Sequence, residues 1–426
     1  MEWLAPLFVV ALTAEALVRF WLSSRQIAAV RAHRDRVPEQ FREQVELAEQ
    51  QKAADYTIAR AQLGRIGTVL EALIRLMFTL GGGIAVADGL WARAQLGQPW
   101  HGALVIGTVM LVLMVINLPF SLWRTFRLEA RFGFNRVSPR LFVVDRVKGL
   151  LLSLLIGGPI AIGALLLMDR GGRWWWLYAW AGWTLFSLLL TWAFPRFIAP
   201  LFNRFTPLAD EALKTRVEQL LERCGFAAKG VFVMDGSRRS AHGNAYFTGV
   251  GRNKRIVFFD TLLERLGGAE VEAVLAHELG HFRLQHIRQR IVLSLLTSFV
   301  ALGVLAWVAG QPAFYSTLGV PNASSHAALL LAMFVAPAFT FFMTPLGAWW
   351  SRRHEFQADD FAARHADAAA LADALVKLYR ANASTLTPDR LHSAFYDSHP
   401  PAIVRIARLN AAAGRRPGTE SLAAAT

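Results

Sequence analysis

His277, Glu278 and His281 stand in the order His-Glu-Leu-Gly-His, inside a stretch at 271–286 that reads as a helix. Glu270 and Glu272 occupy its first turn, and Val271, Leu275 and Leu279 form an apolar stripe at i, i+4, i+8. Four-residue spacing puts both imidazoles on one helix face, about 6 Å apart, close enough to share one zinc ion. Glu278, adjacent to the first histidine, is then placed to take a proton from water activated by that ion. A catalytic zinc needs a third protein ligand and an open position for water. The candidate is Glu355 in His354-Glu355-Phe356-Gln357-Ala358-Asp359; spacing alone leaves it equally a ligand or a solvated helix carboxylate. Asp359, one turn on, is placed to hydrogen-bond a ligand histidine from behind. His354 points about 100° away from Glu355 around the helix and reads as a non-ligand, and His286 reads as an interfacial histidine. The single cysteine, Cys224, excludes an intrachain disulfide and a thiolate cluster, and reads as a buried structural thiol.

These residues must be held by a chain of 426 residues that is 54% hydrophobic. Its mean hydropathy of +0.34 exceeds that of an ordinary soluble domain and points to a membrane protein. Apolar stretches long enough to span a bilayer recur at 3–22, 67–90, 101–122, 142–168, 174–195, 290–309 and 326–350, a count of seven. The first lacks a basic leader and a small-residue cleavage site and reads as retained. The net charge of +14 is unevenly spread. Arginines crowd the loops after spans one and three, whereas the loop after span two holds only Arg93 and that after span six has no Lys or Arg. Positive-inside logic places the odd loops, the zinc motif and the C-terminus in the cytoplasm, and the N-terminus outside. The basic residues flank spans and are not interleaved with aromatics, which argues against a nucleic-acid partner.

Along the chain, 1–195 reads as a membrane region with five spans and a polar segment at 24–66, helical over 37–63. Residues 196–289 form a soluble block with a helix at 209–224, strands at 230–234 and 255–259, and the zinc-motif helix. Two spans follow in 290–350, then soluble helices in 351–413, expected at 351–378 and 402–413, and a disordered tail in 414–426. Glu15 with Arg19, and Glu71 with Arg75, sit inside spans at i, i+4, either as self-neutralising pairs or as the lining of a polar cavity. The run Gly81-Gly82-Gly83 in span two permits a kink or close helix approach.

Several short motifs carry a family resemblance. They are Gln51-Lys52-Ala53-Ala54-Asp55-Tyr56-Thr57, Leu118-Pro119-Phe120 followed by Thr125-Phe126, Gly133-Phe134-Asn135, and Phe197-Ile198-Ala199-Pro200-Leu201-Phe202-Asn203. Further on stand Asn244-Ala245-Tyr246-Phe247, Lys254-Arg255-Ile256-Val257, the zinc motif, Glu355-Phe356-Gln357-Ala358-Asp359 and Ser398-His399-Pro400-Pro401. In this order they resemble the type I CAAX prenyl proteases, integral-membrane zinc endopeptidases, over nearly the whole chain. The resemblance implies a mainly α polytopic protein: seven spans around an intramembrane chamber, with a cytoplasmic α+β, gluzincin-like metalloprotease domain. It implies Glu355 as third ligand to a single Zn2+, with Glu278 as general base. His399, which by itself reads as a helix-start histidine, becomes the oxyanion donor, and Arg405 organises the site or meets substrate carboxylate. Asn244, Ala245 and Tyr246 become the edge along which substrate lies as an added strand. The Arg238-Arg239 pair is a further candidate for a C-terminal carboxylate, against the plainer reading of solvated loop residues.

The implied reaction is cleavage on the C-terminal side of an isoprenylated cysteine, releasing a tripeptide. A prenyl tail partitions into lipid, which favours an enzyme embedded there, acting as a monomer on peptide or protein. An Ala-, Arg- and Leu-rich composition points to a GC-rich bacterial source, hence an inner membrane, where prenylated proteins are not expected. The competing enzyme reading is therefore a quality-control zinc protease acting on unlipidated or misfolded proteins. That related group is shorter and lacks the segment at 51–56. A non-enzymatic seven-span receptor or transporter would have no need of a ligand set plus a general base.

Overall fold

The computed structural model describes residues 2–226, 230–248 and 255–414. The membrane portion opens with α1 (Leu4–Ala32), α2 (Leu47–Phe78), α3 (Gly83–Ala92), α4 (Trp100–Trp123), α5 (Pro139–Leu152), α6 (Gly158–Arg170) and α7 (Trp175–Ala193). Six helical runs are long and apolar enough to cross a membrane, and α2 with α3, bent by 49°, supplies a seventh as a broken span. The glycine run causes the break. Gly82 adopts a left-handed φ of 72°, and a Cβ on Gly81 or Gly83 would lie 2.8 Å from the Met77 carbonyl oxygen. The expected span at 142–168 is one path through α5, a π-helical turn at Ser153–Gly157 and α6.

The charged residues inside the first two spans pair across helices rather than only along them. Glu15, 2% exposed, accepts from Arg19 Nε at 2.9 Å and from Arg75 Nη1 at 2.7 Å. Glu71, expected to hold Arg75, stays 3.9 Å away and largely exposed. A buried carboxylate is tolerated here because two guanidiniums share it.

After α7 comes a small soluble domain. Strands β1 (Phe205–Pro207), β2 (Val231–Met234), β3 (Ala245–Thr248) and β4 (Arg255–Phe259) form one sheet in the order β1-β2-β4-β3. Only β2 and β4 are parallel. The helices around it are α8 (Glu211–Arg223), α9 (Gly268–Arg283), α13 (Ala368–Ala381) and α15 (Ala402–Ala412), joined to the membrane part by α10 (His286–Ala309), α11 (Ser325–Thr340), α12 (Thr344–His365) and α14 (Arg390–Tyr396). One core runs through sheet and helices, with Val217, Leu220, Ile256, Phe258, Leu275, Leu279, Leu371 and Leu409 buried in it. Each such side chain contributes about 1.5–3 kcal/mol.

Helices α4, α6, α7, α10 and α11 contact one another in a closed circuit. Yet only 6% of the residues in the apolar windows of the α5–α6 path, the α7 path and α10 are buried. A helix inside a packed bundle would bury a whole stripe of its surface. These three paths therefore expose most of their surface, whereas α11 is largely covered and touches α6 as well as α4 and α10.

Three expected helices have different limits. The one at 37–63 begins only at α2, because Val37, Phe41 and Val45 are buried in the soluble core and Pro38 is extended. The one at 351–378 is two: the chain turns at Ala366, and Asp367 caps α13 by accepting from the Ala369 and Ala370 N–H groups. The zinc-motif helix ends at Arg283, where Gln285 takes a left-handed φ of 59° and α10 restarts at His286. The tail expected to be disordered lies, beyond Gly414, outside the described residues.

Candidate metal centre

Helices α9 and α12 pack side by side, and their closeness depends on one small residue. A Cβ on Gly280 would sit 3.0 Å from Ala358 Cα and 3.1 Å from Phe361 Cβ. With glycine there, the two helices approach until His277 and His281 on one face Glu355 on the other. His277 Nε2 lies 3.2 Å from His281 Nε2 and 3.5 Å from Glu355 Oε2, and His281 Nε2 lies 3.3 Å from Glu355 Oε1. These separations, two of them to different oxygens of Glu355, lie close to a tetrahedral edge of about 3.3 Å for ligand bonds of roughly 2.0–2.1 Å.

The protonation pattern forced by the neighbours also fits a cation. Asp359 Oδ1 lies 2.9 Å from His277 Nδ1, a carboxylate position that favours the proton on Nδ1 and the Nε2 lone pair toward the site. On the other side, Gln357 Oε1 is 2.9 Å from His286 Nε2 and accepts from it. His286 Nδ1 must then accept from His281 Nδ1, 3.0 Å away, so His281 also turns a bare Nε2 inward. Two facing lone pairs and a buried Glu355 Oε2 without a hydrogen-bond donor make a concave cluster of acceptors, suited to a divalent ion with borderline N/O preference.

Arg405, 4% exposed, anchors this arrangement from behind. Its Nε and Nη2 donate to Asp359 Oδ2 and Oδ1 at 2.9 and 2.7 Å, and its Nη1 is 3.6 Å from Glu355 Oε2. Burial works to raise the Asp359 carboxyl, but the His277 contact and the Arg405 guanidinium hold it below the usual range. Glu355 is held low in the same way, by the two imidazoles against burial. Glu278 shifts the opposite way: burial pushes its carboxyl up. That is the direction a proton-accepting carboxylate needs.

His399 closes the open side, its side chain 61% exposed and its Nε2 3.5 Å from Glu355 Oε1. Next to α9 lies β3, the edge strand. The Asn244 carbonyl accepts from Phe259 N–H at 3.0 Å, so by antiparallel alternation Tyr246 also pairs inward and Ala245 turns its polar groups to the free edge. The Asn244 Oδ1 folds over the Ala245 N–H at 2.8 Å. The Tyr246 ring lies on the sheet face away from α9, with Phe232 and Val257.

Of the remaining candidates, Arg239 is committed to Asp145 at 2.9 and 3.0 Å and to Asn203. His354 is no ligand: it stacks on His286 at 3.9 Å and meets Gln289. His286 is not interfacial. It is 1% exposed and backs His281. Its spacing of five from His281 is off the helix face, and only the turn at Gln285 brings it back. Gln357 and Gly280 were likewise silent in sequence.

Residues 26–204 match the family model described as CAAX prenyl protease N-terminal, five membrane helices, and residues 207–413 match Peptidase family M48. A CAAX prenyl protease 1 homolog of Oryza sativa is 35% identical over 336 residues, 79% of this chain and 78% of that one. The CAAX prenyl protease 1 of Saccharomyces cerevisiae is 34% identical, covering 72% of this chain and 71% of its own. The crystal structure of S. mikatae Ste24p superposes with a TM-score of 0.87 at 28% identity, over 95% of this chain and 98% of that one.

Proposed function

The chain belongs to the CAAX prenyl proteases of peptidase family M48, integral-membrane zinc metalloendopeptidases, and we propose that it cuts on the C-terminal side of an isoprenylated cysteine, releasing a tripeptide. The observation that carries the reading is the tetrahedral spacing of His277, His281 and Glu355 beside an accessible side, next to a free strand edge. We assign those three residues to one zinc ion, which when bound would lower the pKa of a water and polarise the scissile carbonyl.

The chain's own groups do the rest. The substrate backbone pairs with the free edge at Ala245, the Asn244 side chain swinging off the Ala245 N–H to admit it. Glu278 takes the proton from the attacking water and delivers it to the leaving amine. His399, on the open side, donates a hydrogen bond to the oxygen on which negative charge develops. Arg405 fixes Asp359, and Asp359 fixes the His277 tautomer. The prenyl chain is accommodated among the apolar faces that the spans leave uncovered. The basic segment after the first span packs against the soluble domain, as in Arg25 with Asp389 and Glu49 with Arg380, so positive-inside logic puts the site in the cytoplasm.

The test is a farnesylated peptide beside its unmodified twin, with purified protein. Preferential cleavage of the farnesylated peptide, one bond after the modified cysteine, is expected. Equal rates on the two would overturn the substrate assignment in favour of general proteolysis.

A further inference from the structure

A second cavity, of about 500 Å3, lies on the sheet face turned away from α9. Its apolar lining comes from Phe232, Tyr246 and Val257, and it is edged by Arg196, Arg204 and Arg255. All three arginines are exposed, and among the described residues none forms an ion pair with a carboxylate. Arg196 lies over the Trp192 ring and Arg255 over Phe232, each at 5.1 Å, so two of the guanidiniums are steadied by aromatics and keep their donors free. Nearby acids are already engaged. Asp235 Oδ1 accepts the Arg204 backbone N–H at 2.7 Å, and Asp145 is held by Arg239.

The cavity opens at a defined height. The span covering Gly172–Phe202 ends here, and Trp192 packs edge-on against Phe197 at 5.9 Å, the aromatic placement of a membrane interface. Three unneutralised guanidiniums around an apolar floor at that level match a phosphate group carried on an acyl chain: the phosphate takes the donors while the chain stays in the bilayer. The volume falls within the range of small-molecule sites.

We infer that this cavity binds the phosphate headgroup of an anionic phospholipid, docking the back of the catalytic sheet onto the bilayer. The measurement is lipid retention by the full-length protein, read by native mass spectrometry after reconstitution in phosphatidylcholine nanodiscs with and without phosphatidylglycerol. The wild type is expected to retain phosphatidylglycerol selectively. A triple Arg196→Ala, Arg204→Ala, Arg255→Ala variant should lose at least tenfold of that retention, and the matching triple lysine variant should keep most of it. A charge-matched control, Arg31→Ala, Arg127→Ala, Arg140→Ala, should behave as wild type. Inorganic phosphate at millimolar concentration should leave the lipid in place; displacement by phosphate alone would mean a soluble phosphate is the occupant and overturn the lipid assignment. Retention unchanged in the alanine triple, or equally reduced in the control, would also overturn it.

Discussion

At the scale of single residues, the centre works by assigning one job to each polar atom. Glu278 is the one acidic group beside the ligands whose carboxyl burial pushes up, whereas Glu355 and Asp359 are held down by cationic or hydrogen-bonding neighbours. Glu278→Gln should therefore lower kcat by about 10²–10⁴-fold while zinc, counted by metal analysis, stays bound. Full activity in that variant would refute the proton-transfer role. The residues behind the ligands give a different signature. His286→Ala removes the acceptor that orients His281, and Asp359→Ala the one that orients His277. Each should weaken zinc affinity by about 10–100-fold, measured by competition with a chelator. Their residual activity should recover at high zinc, which that of Glu278→Gln should not.

At the scale of elements, the site is an agreement between two helices, and Gly280 sets its distance. Gly280→Val needs space already filled by Ala358 and Phe361, so α9 and α12 must separate. Loss of zinc with an unchanged helical circular-dichroism spectrum is the expected outcome. A second contact between elements lies at the far end of the membrane portion. Asp88 Oδ1 accepts from His101 Nε2 at 2.7 Å and from His326 Nε2 at 2.9 Å, tying α3 to α4 and α11. These separations suit hydrogen bonds and are shorter than the ligand spacings at the zinc centre. Because His326 is 3% exposed, Asp88→Asn should destabilise the protein by about 1–3 kcal/mol, seen as a lowered thermal midpoint with the zinc content unchanged.

For the whole molecule, a sparsely buried membrane portion and a compact catalytic domain are joined through α10 and α12, which run from membrane into the site. Metal and fold are thereby linked: an ion bridging α9 and α12 stabilises the folded state by its binding free energy. Removal of zinc with a chelator should lower the thermal midpoint, and stoichiometric zinc should restore it. In Glu355→Ala the chelator should have little further effect.

The chain's residues by themselves determined the local patterns. These were the spacing of two imidazoles and a base, the apolar runs, the glycine break, and an amphipathic helix ending near Cys224. Such features depend on period and composition, which neighbours in sequence settle. That the helix expected at 37–63 would begin late and the one at 351–378 would divide was not legible, because burial of distant side chains and capping decided those ends. Tertiary structure alone decided that Glu355 faces the imidazoles, that His286 and Gln357 set a tautomer, and that Arg75 turns to Glu15 rather than to its helical neighbour Glu71. Hydrogen-bond partners and ion pairs are chosen by distance in space, and only packing of residues far apart in the chain defines that distance.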